Sequence, residues 1–455
     1  MAKIAFIGAG GRVSTTALAQ FARFEESASL EFVLYDKDED ASRDSLEVFR
    51  RGVEIEGCKA DATIVSSLDA ALRNADFVMY CAINPDSDVP PYNLKGELGN
   101  IDAMIKLVEK SMDLCAPGYR VINYANPTDL LGMILRRKFP DVDIQTLCTG
   151  AEEFRRNLMY LFDIPWEQED RLVLRHVGGN HFGFVVSCTV DGKDIMPELR
   201  ALELDWRSFQ GLRHGDAYDL ARTLSLYRAS GILTLPSGHI AYYHGVEGNP
   251  GHPSDHGHFR PTKDYIVNIS KDPDTSVNHY WEIMDVWATR AVALPVMCLL
   301  GHGDHSFSSQ TPNDGFISGL DDHVFVEAWG HAVDGRFERF PIEVPPFIKH
   351  LVIHNNMGNA LMADALAEQN YEKLCQAMML RGDRTNFRYS MPSMRMVVAD
   401  KWKLDDGLDD IYSRAILEKE PALEFEYLDF EEKKLLAGSN EYPWAALEQK
   451  TWGNI

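Results

Sequence analysis

Two residues in the middle of the chain have the chemistry of metal ligands. Cys148 follows an apolar run that ends at Leu147, and His181 closes the segment Gly178-Gly179-Asn180-His181. Glycines beside a short polar pair are typical of backbone that passes close to a ligand. A thiolate and an imidazole together can hold a divalent metal ion, although either residue alone is more often an inert part of a core. The sequence therefore predicts a metal site if the fold brings Cys148 and His181 together.

A glycine-rich turn near the N-terminus predicts a dinucleotide site. It follows the apolar strand 4–7 and leads into a helical run, with valine instead of glycine at the third fingerprint position. The first glycine permits the tight turn, and the second lets the backbone approach a pyrophosphate at the helix N-terminus. An aspartate that ends the second strand favours NAD, because it would repel the 2′-phosphate of NADP. The predicted NAD-binding residues are Gly8, Gly10, Gly11, Arg12, Val13, Asp36 and, after the third strand, Asn84.

The elements that must position these residues alternate between strand and helix in the first half of the chain. Amphipathic stretches at 98–114 and 129–138 separate short apolar strands, which we expect at 4–7, 30–34, 76–82, 120–123 and 144–147. This alternation predicts an α/β fold with a Rossmann-type, doubly wound parallel sheet.

After about residue 177 the pattern becomes mixed α/β. A strand is expected at 182–190, and helices are expected at 281–300 and 371–380. We therefore expect an NAD-binding domain at 1–176 and a mixed α/β domain for substrate binding and oligomerisation at 177–455.

Ligands of doubly wound sheets gather at the carboxyl ends of the strands. Asn126 follows the fourth strand and precedes a proline, which keeps it extended so that its amide can face a ligand hydroxyl. Together with Asn180 it is a predicted substrate-binding residue. An Asn-Pro turn without function is the plainer alternative.

The overall charge excludes several classes of function. The 455 residues include 69 acidic and 45 basic side chains, which gives a net charge of −24. Such a surplus excludes a general nucleic-acid binder and argues against docking on anionic membranes. No apolar stretch of about 18 residues is present, and the N-terminus lacks the features of a signal peptide. The seven cysteines are scattered, without a Cys-x-x-Cys pair, so we expect a cytoplasmic protein without disulfides.

Taken in order, these motifs resemble glycoside hydrolase family 4, the NAD- and metal-dependent glycosidases related in fold to lactate and malate dehydrogenases. The resemblance rests on residues 3–11, Asn126-Pro127, Cys148 and residues 178–181, and on residues 317–320 through 342–346, which are similar to the family's late strand and its Val-Glu-Val-Pro element.

The resemblance implies a redox-elimination reaction on a small sugar glycoside, including anionic sugars. NAD takes hydride from C3, a base removes the C2 proton, the C1–O bond breaks, water adds, and the hydride returns; the family is an exception to two-carboxylate hydrolysis. A divalent metal, manganese in this family, would stabilise the enediolate. Cys148 and His181 match the family's two metal ligands by position. The resemblance also implies a homodimer or homotetramer.

Two positions depart from the family pattern. Thr149 stands where many members carry His, Asp or Asn, which assists the leaving group, and a hydroxyl is a poor general acid. His239 stands where the family has its basic tyrosine, so the base is either His239 or one of Tyr242 and Tyr243.

Three arginines are candidates for holding an anionic sugar, because guanidinium groups suit phosphate and carboxylate. We assign substrate binding to Arg260 and keep Arg155 and Arg156 as alternatives.

Two other functions fit parts of the pattern. A dehydrogenase of a hydroxy acid or sugar derivative could use His181 as a base without metal and would accumulate NADH. A non-catalytic NAD sensor would explain the glycine turn but not Cys148 and His181 together.

Overall fold

The computed structural model describes residues 1–82, 94–126, 128–202, 214–235, 262–285 and 288–380. All of them belong to one compact unit. Within these ranges, no helix has the length and apolar character needed to cross a membrane. The candidates that lie outside the described residues are Asn84, His239, Tyr242, Tyr243 and Arg260.

The described strands join in one sheet of 13 strands. They are β1 (Ala2–Ile7), β2 (Leu30–Tyr35), β3 (Ala62–Ile64), β4 (Phe77–Tyr80), β5 (Arg120–Asn123), β6 (Asp143–Thr146), β7 (Leu172–Gly179), β8 (Phe182–Val190), β9 (Lys193–Asp194), β10 (Leu233–Thr234), β11 (Phe307–Pro312), β12 (Phe325–Val333) and β13 (Arg336–Arg339).

The described helices cover the sheet and carry the loops at its ends. They are α1 (Arg12–Gln20), α2 (Glu39–Glu56), α3 (Leu68–Leu72), α4 (Leu94–Leu114), α5 (Thr128–Lys138), α6 (Gly150–Leu161), α7 (Met196–Ala201), α8 (His214–Ser230), α9 (Lys263–Lys271), α10 (Val277–Met284), α11 (Arg290–Leu299), α12 (Pro346–Glu368) and α13 (Tyr371–Leu380).

The first six strands form the parallel half of the sheet, in the order β3-β2-β1-β4-β5-β6. This is the strand order of dinucleotide-binding folds, so the expected Rossmann-type sheet is confirmed. The sheet continues through β11, β12, β7 and β8, which pair antiparallel. The expected mixed α/β second half thus extends the same sheet. The expected domain boundary at 176/177 falls within β7 and stays a prediction.

Apolar packing fixes the nucleotide half around β1. Phe6, Phe21 and Phe32 are buried and meet edge to face, with ring centroids 5.8 and 5.2 Å apart. Edge-to-face pairs add to the free energy gained from burial. These rings fix α1 on the sheet and so set the direction in which α1 leaves the glycine turn.

The second half differs from expectation at one helix. The single helix expected at 281–300 was wrong, because the chain forms α10 and α11 with a break between them. The hydroxyl of Thr289 donates to the carbonyl oxygen of Met284 at 2.8 Å, and Ala288 has a φ of 49°. This side-chain bond ends α10 and a left-handed residue reverses the chain, so a continuous apolar pattern covers two helices.

Candidate active site

The glycine turn is built for close backbone contacts. Gly8 has a φ of 84°, and a Cβ at this position would lie 2.5 Å from backbone atoms of Ala82 at the end of β4. A Cβ on Gly10 would lie 2.5 Å from the Cβ of Ala41. Both positions therefore require glycine.

Helix α1 begins directly after this turn. Gly11 is its N-cap, makes no side-chain capping bond, and is followed by no acidic residue in the first turn. Arg12 and Val13 are the first two residues of the helix. The first N–H groups of such a helix form an anion site of the kind that binds a pyrophosphate.

Asp36 lies where the sequence predicted a ribose-binding carboxylate. It follows β2 directly, and its Oδ2 accepts the N–H of Gly10 at 2.9 Å. Its Oδ1 accepts the N–H of Asp38 at 3.0 Å, so both oxygens are oriented. The carboxylate thereby stands beside the glycine turn at the carboxyl end of the sheet.

The backbone of one predicted metal ligand contacts the side chain of the other. Cys148 follows β6, is buried, and its sulfur accepts the backbone N–H of Gly150 at 3.5 Å and that of His181. His181 lies in the two-residue turn between β7 and β8, with a φ of 56°. Burial raises the pKa of the Cys148 thiol well above its usual range. Burial also lowers the pKa of the His181 imidazole, against the opposing field of the Glu327 carboxylate.

The residue types of this pair suit a divalent metal ion whose coordination shell would be completed by substrate. A neutral imidazole is the form that binds metal, and a cation would favour loss of the proton of a buried thiol. Among the described residues, no group of three His, Cys, Asp or Glu side chains is placed to hold a metal. Cys148 and His181 would hold a divalent metal as two protein ligands, and the metal would supply Lewis-acid stabilisation to sugar oxygens.

The predicted substrate residues Asn126 and Asn180 are also brought together. The Nδ2 of Asn180 donates to the Oδ1 of Asn126 at 3.1 Å, and its backbone N–H donates to Asp129 Oδ2 at 3.3 Å. Asn180 directly precedes His181, so these contacts also hold the turn that carries the predicted metal ligand.

A fully buried glutamine determines how these amides are turned. The Oε1 of Gln310 accepts the hydroxyls of Thr128 and Thr146 at 2.7 and 2.9 Å. Its Nε2 donates to Glu327 Oε2 at 2.9 Å and to Asn180 Oδ1 at 3.3 Å. Both of its acceptor positions and both of its N–H groups are used.

The carboxylate of Glu327 fixes the direction of this chain of bonds. A carboxylate only accepts, so the NH₂ group of Gln310 must face Glu327 and therefore also Asn180 Oδ1. The NH₂ group of Asn180 then faces Asn126 Oδ1. The NH₂ group of Asn126 remains, and it makes no hydrogen bond to any residue that the structure describes. Asn126 stays a predicted substrate-binding residue, with its NH₂ group as the candidate donor.

Further buried polar groups contact the residues of this hydrogen-bond chain. Glu327 is 2% exposed, and its Oε1 lies 3.4 Å from His176 Nε2. Asp129 accepts the Nδ2 of Asn359 on α12 at 2.8 Å. A Cβ on Gly179 would lie 2.7 Å from Asn356 Oδ1, so a larger residue would displace the Asn356 side chain where β7 meets α12.

Sequence reasoning missed Gln310, Glu327 and Asp129. The run 308–311 reads as a polar loop but forms the buried strand β11. The available signal was weak: an uncharged polar run directly after Phe307, with no glycine or aspartate inside it.

Thr149 lies beside Cys148, where its role was expected. It precedes α6 as N-cap without a side-chain capping bond, and its hydroxyl bonds with the side chain of Tyr124. Burial raises the pKa of Tyr124, so this phenol keeps its proton. Tyr124 was not recognised in the sequence.

Two arginine candidates are occupied by the chain's own acids. Arg155 bonds Glu152 at 3.0 Å and lies 2.8 Å from Glu169, and all three are buried. Arg156 donates to the backbone oxygen of Asp285 at 2.8 Å. These contacts favour Arg260 over Arg155 and Arg156, which stay alternatives.

Comparison with known sequences gives the family. The description "Family 4 glycosyl hydrolase" matches residues 3–85, and "Family 4 glycosyl hydrolase C-terminal domain" matches residues 176–381, together more than half of the chain. The chain belongs to glycoside hydrolase family 4. The predicted family and its enzyme class, a glycosidase, are confirmed.

The individual relatives have low sequence identity to this chain, but they align with it over most of its length. A 6-phospho-alpha-glucosidase 1 of Lacticaseibacillus paracasei is 24% identical over 354 residues, 69% of this chain and 77% of that protein. Two solved structures of 6-phospho-alpha-glucosidases from gut microorganisms share the fold. One, in complex with NAD and glucose-6-phosphate, has a TM-score of 0.69 at 16% identity and covers 89% of this chain and 98% of that chain. The other, in complex with NAD and Mn²⁺, has a TM-score of 0.68 at 17% identity and covers 88% and 98%.

Proposed function

We propose that this family 4 member is an NAD- and divalent-metal-dependent glycosidase for small anionic glycosides, with 6-phosphoglucosides as the first candidates. Its curated relative is named a 6-phospho-alpha-glucosidase, and its structural neighbours hold NAD, Mn²⁺ and glucose-6-phosphate. One observation carries the proposal. The Sγ of Cys148 accepts the backbone N–H of His181 at the same edge of the sheet as the glycine turn and Asp36.

The place of each residue in the fold suggests its role. Gly8, Gly10, Gly11 and the start of α1 would bind the pyrophosphate of NAD, and Asp36 its ribose. NAD supplies a hydride acceptor and donor, and a metal at Cys148 and His181 supplies Lewis-acid stabilisation of negative charge on sugar oxygens.

The chain's own donors act beside that site. The NH₂ group of Asn126 donates to a sugar oxygen, which favours the form of the sugar in which this oxygen carries more negative charge. The hydroxyl of Thr149, bonded to Tyr124 next to Cys148, stays the predicted catalytic residue at the leaving group; there it would donate a hydrogen bond, since burial of Tyr124 makes this pair a poor source of a proton. His239, Tyr242 and Tyr243 remain the candidates for the base, and Arg260 for the anionic group of the sugar.

Manganese is our first choice of metal because a structural relative holds it. A thiolate ligand also suits softer ions such as zinc, iron or cobalt. We further propose that the protein is cytoplasmic and acts as a homodimer or homotetramer.

The test is a panel of phosphorylated, uronic and neutral glycosides of both anomers, assayed with NAD, a reductant and each metal in turn. We expect hydrolysis of a phosphorylated glycoside that requires both NAD and metal, with solvent deuterium incorporated at C2. Hydrolysis that survives removal of NAD and metal would contradict the proposal, and net accumulation of NADH would indicate a dehydrogenase.

A further inference from the structure

A lysine from the second half of the sequence lies beneath the glycine turn. Lys263 is the first residue of α9, and its Nζ donates to the carbonyl oxygens of Gly10 at 2.8 Å and Ala41 at 3.0 Å. The hydroxyl oxygens of Thr15 and Ser45 each lie 2.9 Å from the same nitrogen. An ammonium group has three protons, so every one of them has an acceptor here.

The two hydroxyls in turn hydrogen-bond to the peptide carbonyls on either side of Gly10. The hydroxyl of Thr15 donates to the carbonyl oxygen of Gly11 at 2.8 Å, and that of Ser45 donates to the carbonyl oxygen of Ala9 at 2.7 Å. Three successive carbonyls of the turn are thus held on the side of Lys263. Because the C=O and N–H of a trans peptide point in opposite directions, the N–H groups are turned the other way. The N–H of Gly10 accordingly faces Asp36.

Lys263 is also surrounded by acidic groups. The carboxylates of Asp36 and Asp38, from the segment after β2, and of Asp44, from α2, act on its ammonium, while α1 presents the neutral hydroxyl of Thr15. Burial lowers the pKa of Lys263 to about 8, against the opposing effect of the three carboxylates. The ammonium offsets negative charge next to the turn that would bind a pyrophosphate.

We propose that Lys263 is a positioning residue for cofactor binding, which holds the glycine turn in the conformation that accepts NAD and offsets the nearby carboxylates. This inference rests on the proposed NAD-dependent function. It concerns binding alone, so its test does not require catalytic turnover.

The first experiment measures the dissociation constant of NAD for purified full-length protein by calorimetry. We expect Lys263→Met to weaken NAD binding by roughly 10–100-fold, because four acceptors lose their donor and the turn loses its positive charge. Lys271→Met is the matched control, since Lys271 lies on the same helix and pairs with Glu47 on α2 at 2.8 Å, away from the turn. An NAD affinity of Lys263→Met within two-fold of this control would overturn the proposal.

The second experiment needs no methionine variant and so remains decisive if Lys263→Met fails to fold. Between pH 7 and 9.5 the wild-type ammonium loses its proton, whereas the guanidinium of Lys263→Arg keeps its charge. We expect the wild-type dissociation constant to rise roughly ten-fold over this range and that of Lys263→Arg to change less than two-fold. Identical pH profiles of the two proteins would overturn the proposal.

The outcomes also separate this inference from the proposed function. Wild-type protein that binds no NAD would contradict both. NAD binding that is insensitive to the substitution and to pH would contradict the role of Lys263 alone.

Discussion

The glycine turn and the Asn126–Asn180 region are both held by residues from the second half of the sequence, but by different means. The turn depends on one charged group, Lys263, whose Nζ contacts acceptors on two helices and the turn itself. The Asn126–Asn180 region depends on a neutral amide, Gln310, whose bonds run in one direction from threonine hydroxyls to Asn126.

The difference matches what each region is proposed to bind. A pyrophosphate is an anion, and a nearby cation lowers the electrostatic cost of placing it beside carboxylates. A sugar hydroxyl is neutral and directional, so it is selected by how an amide is turned rather than by net charge. The charged anchor should therefore respond to pH, and the amide chain should respond to exchange of donors and acceptors.

The largest effect is expected at the two predicted metal ligands. Cys148→Ser replaces a thiolate ligand with a hydroxyl that keeps its proton, so we expect about a 10³-fold loss of kcat/KM and loss of metal uptake, measured by elemental analysis. Cys58→Ser is the control, because Cys58 is half-buried and its sulfur contacts only the carbonyl of Phe24 among its described hydrogen bonds. Full metal-dependent activity in Cys148→Ser would remove the metal assignment.

The next effect tests the amide chain. Gln310→Glu keeps the shape but places oxygens against Glu327 and Asn180, so we expect kcat to fall by about 10–100-fold, the range seen for residues that orient a site. NAD binding, measured by calorimetry, should change little. Gln145→Glu is the matched control, since Gln145 is also buried in the sheet but its Oε1 has no partner in the described structure. An equal loss of kcat in both variants would reduce Gln310 to a structural role.

A smaller effect is expected at Asp36. Asp36→Asn keeps an acceptor for Gly10 but removes the charge, so we expect NAD to bind about ten-fold more weakly while discrimination against NADP decreases. Dissociation constants for both dinucleotides measure this, with Asp40→Asn as an exposed control on the same segment. Unchanged discrimination would show that Asp36 does not face the ribose.

The smallest effect concerns folding and has the opposite sign to the effect on NAD. The pKa of Lys263 is about 8 in the folded protein and near 10.5 in the unfolded chain. Between these values the unfolded chain binds more protons, so this group makes the protein more stable as pH rises. Urea unfolding at pH 7.5 and 9.5 should show wild type gaining stability relative to Lys263→Met. A constant difference between the two proteins would contradict the lowered pKa.

Local sequence patterns predicted most of the fold. The strand predicted at 120–123 is β5 residue for residue, because an apolar run there is bounded by charged and turn-forming residues. Strand β3 was missed because three residues are too few to show a period. The break between α10 and α11 depends on a single hydroxyl, that of Thr289, inside an otherwise continuous apolar pattern.

The candidate site likewise contains residues that the sequence could predict and residues that it could not. Gly8 and Asp36 lie in the strand–turn–helix arrangement that the sequence predicted, and Cys148 follows β6; the roles of these residues and of His181 stay predictions. Gln310 and Lys263 were missed because their roles depend on contacts with residues that lie 130 to 253 positions away in the sequence. Register between β11 and β12 pairs Gln310 with Glu327, and no local pattern contains that information.

The backbone of His181 has a consequence for how this protein can be changed. Its φ of 56° is one that glycine adopts freely and that costs other residues about 1 kcal/mol. The turn would therefore be less strained with glycine, and a library selected only for thermal stability should favour that replacement. Such a selection would remove the imidazole together with the strain. Position 181 is thus one where a gain in stability would remove a predicted metal ligand, and it should be held constant in any attempt to stabilise this enzyme.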